Sequence, residues 1–229
     1  MCGRKTLTKD ISSIIEEMNI EEWGAQGYKP SYNIAPTNFS PVIVNKGKKS
    51  TKMMKWGLIP SWSKNEQIGQ KMINARIETI LEKSSFSNLT HNQRCVVLAD
   101  GYYEWNKQNN QPYYITHKKN KILPLAGLWT KWESSDSNII FSYTVITKKP
   151  VKSIDHLHNR MPVILNNQKV DKWIDCKQFS FSDCLNDIQE DIIGLKYYPV
   201  SKMINSVKNN SIQCIKEEKE MQTINLFSF

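Results

Sequence analysis

The second residue of the chain, Cys2, carries the most specific chemistry in the sequence. If Met1 is removed, as is usual before a small second residue, Cys2 presents an α-amine and a thiol on adjacent carbons. The pKa of an α-amine is about 7.7 to 8.0, against about 10.4 for a lysine, so part of it is neutral and nucleophilic at pH 7. Such an amine can attack an aldehyde, and the thiol can then close on the imine to form a thiazolidine. Cys2 is therefore a candidate nucleophile, the alternative being a second-position cysteine without a function.

Two further segments contain side chains suited to proton transfer. Glu104 lies among aromatic residues in Asp100-Gly-Tyr-Tyr-Glu-Trp105. Aromatic surroundings desolvate a carboxylate and raise its pKa, which suits general acid–base catalysis. The alternative is a glutamate on the solvent face of a strand. His158 follows His156 at a spacing that places both imidazoles on one face of an extended segment, but few other ligands are near, so we expect no metal site and no cofactor.

Basic residues outnumber acidic ones by 31 to 22, which gives a net charge of +9. This balance favours a polyanionic partner such as nucleic acid, the alternative being a solvated lysine-rich surface. Four of the basic residues are arginines, which make bidentate contacts with phosphate or carboxylate that lysine does not. They are Arg4, Arg76, Arg94 and Arg160.

Short strands predominate among the elements that must position these residues. Four apolar residues at helical spacing predict one amphipathic helix over residues 10–19, capped by Asp10. Between residues 41 and 150, apolar and aromatic runs alternate with turn residues, which predicts an antiparallel meander with enough strands for a barrel-like core. The remaining expectations are strands at 163–165 and 197–200, helices around 170–174 and 181–188, and loops at 32–36 and 74–76.

Length and composition favour one α+β domain, with a β-rich, barrel-like antiparallel core flanked by helices. The 229 residues show no linker that would divide them. The five cysteines are odd in number and lack a C-x-x-C pair, which argues against a disulfide framework and a structural zinc site. No run approaches the roughly 18 apolar residues of a membrane helix, and no signal peptide follows Met1. We therefore expect a cytoplasmic protein with no membrane partner.

Six segments of the chain occur in the order seen in one protein family. They are Met1-Cys-Gly-Arg4, Tyr32-Asn-Ile-Ala-Pro36, Trp56-Gly-Leu-Ile-Pro-Ser-Trp62, Ile73-Asn-Ala-Arg-Ile-Glu-Thr79, Ala99-Asp-Gly-Tyr-Tyr-Glu-Trp105 and His158-Asn-Arg-Met-Pro-Val-Ile-Leu165. On these motifs the chain resembles the SRAP family, the SOS-response-associated peptidases now regarded as abasic-site processing proteins. The resemblance implies an SRAP domain over residues 1–210, with Cys2 as the mature N-terminus. Residues 211–229 form a charged segment with an apolar tail.

The activity that the resemblance implies is the sensing of abasic sites in single-stranded DNA. Cys2 would form a thiazolidine crosslink with the ring-opened abasic sugar and so protect the lesion during repair and replication. Glu104 would hand a proton to the ring oxygen and take part in crosslink reversal. His158 would shuttle protons during imine formation and promote strand cleavage by β-elimination, which is an AP-lyase activity. Asn74 would hydrogen-bond the sugar or the thiazolidine.

The resemblance also implies a positively charged groove for single-stranded DNA. Arg4, Arg76 and Arg160 would grip phosphates around the lesion. Further DNA contacts would come from residues that line the wall where flanking nucleotides unstack, Asn33, Pro36 and Trp62, and from Thr147 on a phosphate. Two positions depart from the family pattern: Lys5 stands where an apolar aromatic is usual, and Ser63 stands where a second aromatic often follows Trp62.

The C-terminal tail suggests a protein partner. Residues 223–227 are similar to the short peptide by which bacterial replication proteins bind the sliding clamp, although a threonine stands where glutamine is usual. The clamp contacts would be Thr223, Ile224, Leu226 and Phe227. An apolar tail that packs on its own domain is the alternative.

The sequence is compatible with two other functions. A cysteine-dependent peptidase would use Cys2 to attack an amide, including the bond that releases Met1. A non-covalent binder of single-stranded nucleic acid would use only the basic groove and the tryptophans, so its binding would be salt-sensitive and independent of Cys2. We further expect a monomer that is bacterial or phage-encoded and associated with the nucleoid.

Overall fold

The computed structural model describes residues 2–189 and 194–218. Within them the α-helices are α1 (Ile11–Met18), α2 (Leu89–Asn92), α3 (Val170–Ile174) and α4 (Leu185–Gln189). The strands are β1 (Lys5–Leu7), β2 (Ser31–Ile34), β3 (Phe39–Asn45), β4 (Lys49–Trp56), β5 (Asn74–Arg76), β6 (Arg94–Ala99), β7 (Gly101–Trp105), β8 (Pro112–His117), β9 (Leu123–Glu133), β10 (Ile139–Lys148), β11 (Met161–Pro162) and β12 (Leu195–Pro199). No helix in this part of the chain is long and apolar enough to cross a membrane.

Five strands close into a barrel. In the order β10, β4, β3, β6 and β9, each pairs with the next, and β9 pairs again with β10. β6 is buried at every position, as expected for a strand with apolar packing on both faces. The barrel-like core predicted from sequence is therefore confirmed. Two pairings of β10, with β4 and with β5, are parallel, which a simple meander does not include.

A second sheet contains β1, the strand near the N-terminus, and the strands that pair with it. Its strand order is β12, β8, β7, β1 and β2, and its pairings are all antiparallel. β1 is only three residues long, yet it is held between β2 and β7. The residues before β1 are therefore fixed at the junction of the two sheets.

The helical prediction at the N-terminus is confirmed. The Asp10 carboxylate accepts a hydrogen bond from the Ser13 backbone N–H at 2.9 Å, and Asn19 ends α1 in the left-handed conformation with φ of 50°. Ile14 and Met18 are the buried residues of α1. The helix predicted at 170–174 is also present.

Other predicted elements need correction. The polar segments 32–36 and 74–76 are not simply loops, because most of the first lies in β2 and all of the second forms β5. Each forms a short edge strand that pairs with a strand distant in sequence, so the local polarity of these segments did not predict them. The strand expected at 163–165 is reduced to one bridge between Leu125 and Ile164, beside the short β11. The helix expected at 181–188 is a 3-10 turn, Ser182–Cys184, followed by α4.

Arg94 belongs to the core rather than to a ligand-binding surface. It is 1% exposed and donates hydrogen bonds to the carbonyl oxygens of four residues on neighbouring segments, Thr90, Trp173, Asp175 and Phe179. Its guanidinium also lies over the Trp173 ring. This arginine therefore connects β6 to α3 and the turn after it.

The clamp-like residues 223–227 lie outside the described part of the chain.

Candidate active site

Cys2 lies at the base of the candidate site, immediately before β1. Cys2 is 0% exposed, and the side-chain Nδ2 of Asn74 donates a hydrogen bond to the Cys2 carbonyl oxygen at 2.9 Å. Asn74 comes from β5, which is attached to the barrel through β10, whereas Cys2 leads into the second sheet. The Asn74 Oδ1 is buried and accepts no hydrogen bond from the described residues. It is therefore an acceptor available to a donor on a substrate.

Glu104 is brought to Cys2 by the pairing of β7 with β1. Lys5 lies opposite Tyr102, and the Tyr103 backbone N–H donates to the Arg4 carbonyl at 3.0 Å. Side chains alternate along a strand, so Tyr102 and Glu104 share the face towards Cys2. Tyr103 points the other way, where its hydroxyl donates to the Tyr32 carbonyl at 2.7 Å.

The environment of Glu104 changes its acidity and that of its neighbour. The residue is 4% exposed, and burial raises the pKa of its carboxyl to about 7, as its aromatic flanks indicated. Burial, and next the charge of Glu104, raise the pKa of the Cys2 thiol to about 12. The carboxyl can therefore give or take a proton near neutral pH, whereas the thiol stays protonated.

His158 lies half-buried in the segment before β11. Its Nδ1 accepts the backbone N–H of Arg160 at 3.0 Å, which leaves the ring proton of the neutral form on Nε2. Burial lowers its pKa to about 4, so the imidazole is neutral at pH 7. His156 packs its ring 5.3 Å from that of Tyr197 instead of joining His158. No group of three or more metal-ligating side chains occurs in the described ranges.

Lys107 is a charged neighbour that sequence reasoning missed. Its side chain is exposed, and its charge favours the ionised form of the Glu104 carboxyl and the neutral form of the His158 imidazole. The one sequence signal was its place two residues after the Glu104 motif. Lys107 adds positive charge at the edge of the site.

Arg160 and Thr147 are engaged with protein atoms. The guanidinium holds Glu78 through two hydrogen bonds of 2.7 and 2.9 Å, and it also donates to the carbonyl and hydroxyl oxygens of Thr147. The Thr147 side chain is buried, and its hydroxyl donates to the Ala75 carbonyl at 3.3 Å. Because Thr147 also pairs with Arg76 in the sheet, these contacts join the His158 segment to β5.

Arg4 and Asn33 form a second internal group. Arg4 donates to Asn33 Oδ1 at 2.6 Å and to the Ile204 carbonyl at 2.8 Å. The buried Asn33 amide in turn donates to the carbonyls of Ser206 and Asn209 at 3.0 and 2.7 Å. Both side chains therefore fix the segment 204–209 against the residues that follow Cys2.

The remaining predicted DNA contacts are more open to solvent. Arg76 is exposed, Pro36 is half-buried, and Trp62 is 61% exposed. Trp62 lies on a corner that begins at Gly57, whose φ is 118° and where a Cβ would approach the Gly69 carbonyl oxygen within 2.5 Å. The Trp132 indole N–H donates to the next carbonyl, that of Ser63, at 2.7 Å. The corner is thus fixed, with the indole ring of Trp62 facing outward.

Comparisons with known proteins match this architecture. The chain matches the family described as "SOS response associated peptidase (SRAP)" over residues 1–207. It is 39% identical to the Bacillus subtilis protein named "Abasic site processing protein YoqW", covering 94% of this chain and 99% of that protein. It is 34% identical to the Xenopus tropicalis "Abasic site processing protein HMCES", covering 94% of this chain and 78% of that protein.

Solved structures show the same fold. A crystal structure of a Bacteroides thetaiotaomicron protein superposes with a TM-score of 0.81 at 22% identity, covering 95% of this chain and 100% of that chain. A Bordetella bronchiseptica protein gives a TM-score of 0.74 at 21% identity, covering 87% and 100%. The molecule is thus a β-rich α+β domain with a barrel core and a buried cysteine at residue 2. The chain belongs to the SRAP family.

Proposed function

We propose that this protein processes abasic sites in single-stranded DNA by forming a covalent crosslink through Cys2. The observation that carries the proposal is the grouping around Cys2: Asn74 binds its carbonyl, and the charge of the buried Glu104 acts on its thiol. Relatives that cover nearly the whole chain are named abasic site processing proteins, which supports the substrate class.

The first step is hydrolysis of the peptide bond between Met1 and Cys2. Water adds across that bond, so methionine leaves with a carboxylate and Cys2 gains an α-amine. The abasic sugar must then open from its ring form to an aldehyde. At a pKa of about 7 the Glu104 carboxyl is protonated in about half of the molecules at neutral pH, so it can donate to the ring oxygen.

Crosslinking follows in two bond-forming steps. The neutral amine attacks the aldehyde carbon, and one water leaves as the imine forms. The sulfur of Cys2 then bonds to the imine carbon while the C=N electron pair moves to nitrogen. The thiol proton ends on that nitrogen, relayed by Glu104. Because burial keeps the thiol protonated, this relay is needed for closure.

His158 and Asn74 complete the proposed chemistry. The neutral His158 imidazole accepts protons from the attacking amine, and on an imine that has not closed it removes the proton that starts β-elimination. That route cleaves the strand and is the lyase branch of the reaction. The Asn74 Oδ1 accepts a hydrogen bond from the sugar, which satisfies a buried acceptor.

The proposed DNA-binding residues divide into two kinds. Trp62 offers an exposed ring for base stacking, with Pro36 beside the displaced nucleotides, and Arg76 offers an exposed guanidinium for a phosphate. Arg4 and Arg160 bind DNA from positions already fixed by protein hydrogen bonds, and the buried Asn33 and Thr147 support them by accepting hydrogen bonds from these two guanidinium groups. Pre-fixed side chains lose less conformational freedom on binding.

The test is incubation with a single-stranded oligonucleotide that carries one abasic site, followed by denaturing electrophoresis. The matched control oligonucleotide carries a tetrahydrofuran abasic analogue, which has no aldehyde. We expect a denaturation-resistant adduct with the first and none with the second, and none with Cys2→Ala. Binding without an adduct would favour the non-covalent binder. Cleavage of unrelated peptides without DNA would favour the peptidase.

A further inference from the structure

A second titratable group lies buried beside Cys2 and has no place in the chemistry above. Lys5, in β1, is 0% exposed, and its Nζ donates to the Leu98 carbonyl at 2.8 Å. Among the described residues it forms no ion pair, since none brings a carboxylate oxygen within 4.0 Å of Nζ. A buried ammonium with one neutral partner lowers stability compared with an apolar side chain. Lys5 is therefore retained at a cost in stability.

The strand geometry directs Lys5 towards Cys2. Thr6, the next residue, faces the opposite side, where its hydroxyl is 2.8 Å from that of Tyr114. Lys5 therefore shares a face with its cross-strand partner Tyr102 and, two residues further along β7, with Glu104. Cys2 and Tyr102 belong to one hydrophobic core cluster, whereas Tyr103 and Tyr114 belong to another. The Lys5 face is thus the Cys2 face.

The charges on this face act in opposite directions on the sulfur. Burial and Glu104 raise the pKa of the Cys2 thiol, whereas the charge of the N-terminal amine and, next, that of Lys5 lower it. Burial in turn lowers the pKa of Lys5 to about 7, and a Cys2 thiolate raises it again. The thiolate and the ammonium therefore favour each other's charged form. The charge of Asp100 also raises the pKa of Lys5. Tyr102 and Tyr143 adjoin Cys2, and their own pKa values are raised by burial and further by the Cys2 charge.

We propose that Lys5 is a positioning residue of the crosslinking reaction, whose buried ammonium stabilises the sulfur of Cys2 as it loses its proton and closes the thiazolidine. The inference rests on the proposed function and adds a residue to that site. When the thiol proton passes to the Glu104 carboxylate, negative charge moves onto the sulfur. The sulfur lone pair then forms the C–S bond, the C=N pair moves to nitrogen, and nitrogen takes the proton from the Glu104 carboxyl. Lys5 keeps its own bonds throughout.

The role of Lys5 in thiazolidine closure can be separated experimentally from imine formation, because imine formation needs only the amine of Cys2. In the processed protein, imine formation is read by borohydride trapping on the abasic oligonucleotide, and closure by the adduct that survives without reductant. Thiol ionisation is read independently, without DNA, from the pH dependence of iodoacetamide alkylation at the Cys2 peptide. Lys5→Met removes the charge at similar length, and Lys5→Gln keeps a donor for the Leu98 carbonyl. Lys49→Met is the control, because Lys49 is a buried lysine paired with Asp171 at 2.6 Å.

We expect both Lys5 variants to close and to alkylate about tenfold more slowly than the wild type at pH 7.5, which corresponds to a rise of about one unit in the pKa of the thiol. Their trapping rates should stay within about twofold of wild type, their Tm should not fall, and Lys49→Met should keep wild-type closure. Wild-type closure and alkylation in both Lys5 variants would overturn the inference, as would an equal loss of trapping and closure. A wild-type protein without an adduct would refute the proposed function, while the alkylation profile still tests Lys5.

Discussion

Replacing Glu104 with glutamine should make the protein more stable at neutral and alkaline pH. The carboxyl has a pKa of about 7 in the folded protein against 4.5 for the free side chain, because burial penalises its charged form. Below pH 4.5 the group is protonated in the folded and unfolded states alike, so it contributes no pH dependence there. Between pH 4.5 and 7 the unfolded chain ionises while the folded carboxyl stays protonated, so stability falls across this interval, and the loss is complete once the buried carboxyl ionises above pH 7.

The size of the effect follows from the shift in pKa. A difference of about 2.5 units at about 1.4 kcal/mol per unit gives about 3 kcal/mol of lost stability above pH 7. Glutamine resembles the protonated carboxyl in shape and carries no charge. Glu104→Gln should therefore equal the wild type in free energy of unfolding at pH 4 and exceed it by about 3 kcal/mol at pH 8.

Urea unfolding followed by circular dichroism from pH 4 to pH 8 measures this difference directly. Glu82→Gln is the matched control, because Glu82 is an exposed glutamate whose replacement should change the free energy of unfolding little at any pH. A constant difference between Glu104→Gln and the wild type across the range, or a less stable variant at pH 8, would refute the view that Glu104 is kept at a cost in stability for its chemistry.

Three other substitutions test the remaining assignments. Trp62→Ala should weaken binding of undamaged single-stranded DNA by about 1 to 3 kcal/mol, seen as a rise in Kd by fluorescence anisotropy, since one stacking platform is lost; an unchanged Kd would remove Trp62 from the groove. Arg76→Ala should reduce the magnitude of the slope of log Kobs against log salt by about one, the contribution of one phosphate contact, and an unaltered slope would contradict a phosphate contact there. Arg94→Met should lower the free energy of unfolding by about 3 kcal/mol, because buried carbonyls lose their donor; stability equal to wild type would contradict its structural role.

Local patterns predicted the elements that local interactions form. The Asp10 cap and the apolar spacing after it define α1, and the alternating runs define the barrel strands. The short strands β1, β2 and β5 escaped prediction because each exists through pairing with a strand far away in sequence. Their formation depends on tertiary contacts that no window of residues contains.

The candidate site shows the same division. Residue types made Cys2 and Glu104 candidates beside non-functional alternatives, and the resemblance to the family selected them; the aromatic neighbours of Glu104 predicted its raised pKa. The burial of Lys5 did not follow from sequence, because a lysine is ordinarily exposed and only its register against Tyr102 turns it inward. The charge of Lys107 at the site likewise depends on how β7 ends, not on a recognisable motif.

The most direct test of the central claim is the intact mass of the purified protein before and after incubation with the abasic oligonucleotide. We predict that the protein lacks Met1 and that the adduct weighs the sum of protein and oligonucleotide less one water, as loss of water at the imine requires. Closure adds no mass but removes the thiol, so the adduct should take up one iodoacetamide fewer than the free protein after denaturation. A processed protein that binds the oligonucleotide without this adduct would contradict the claim.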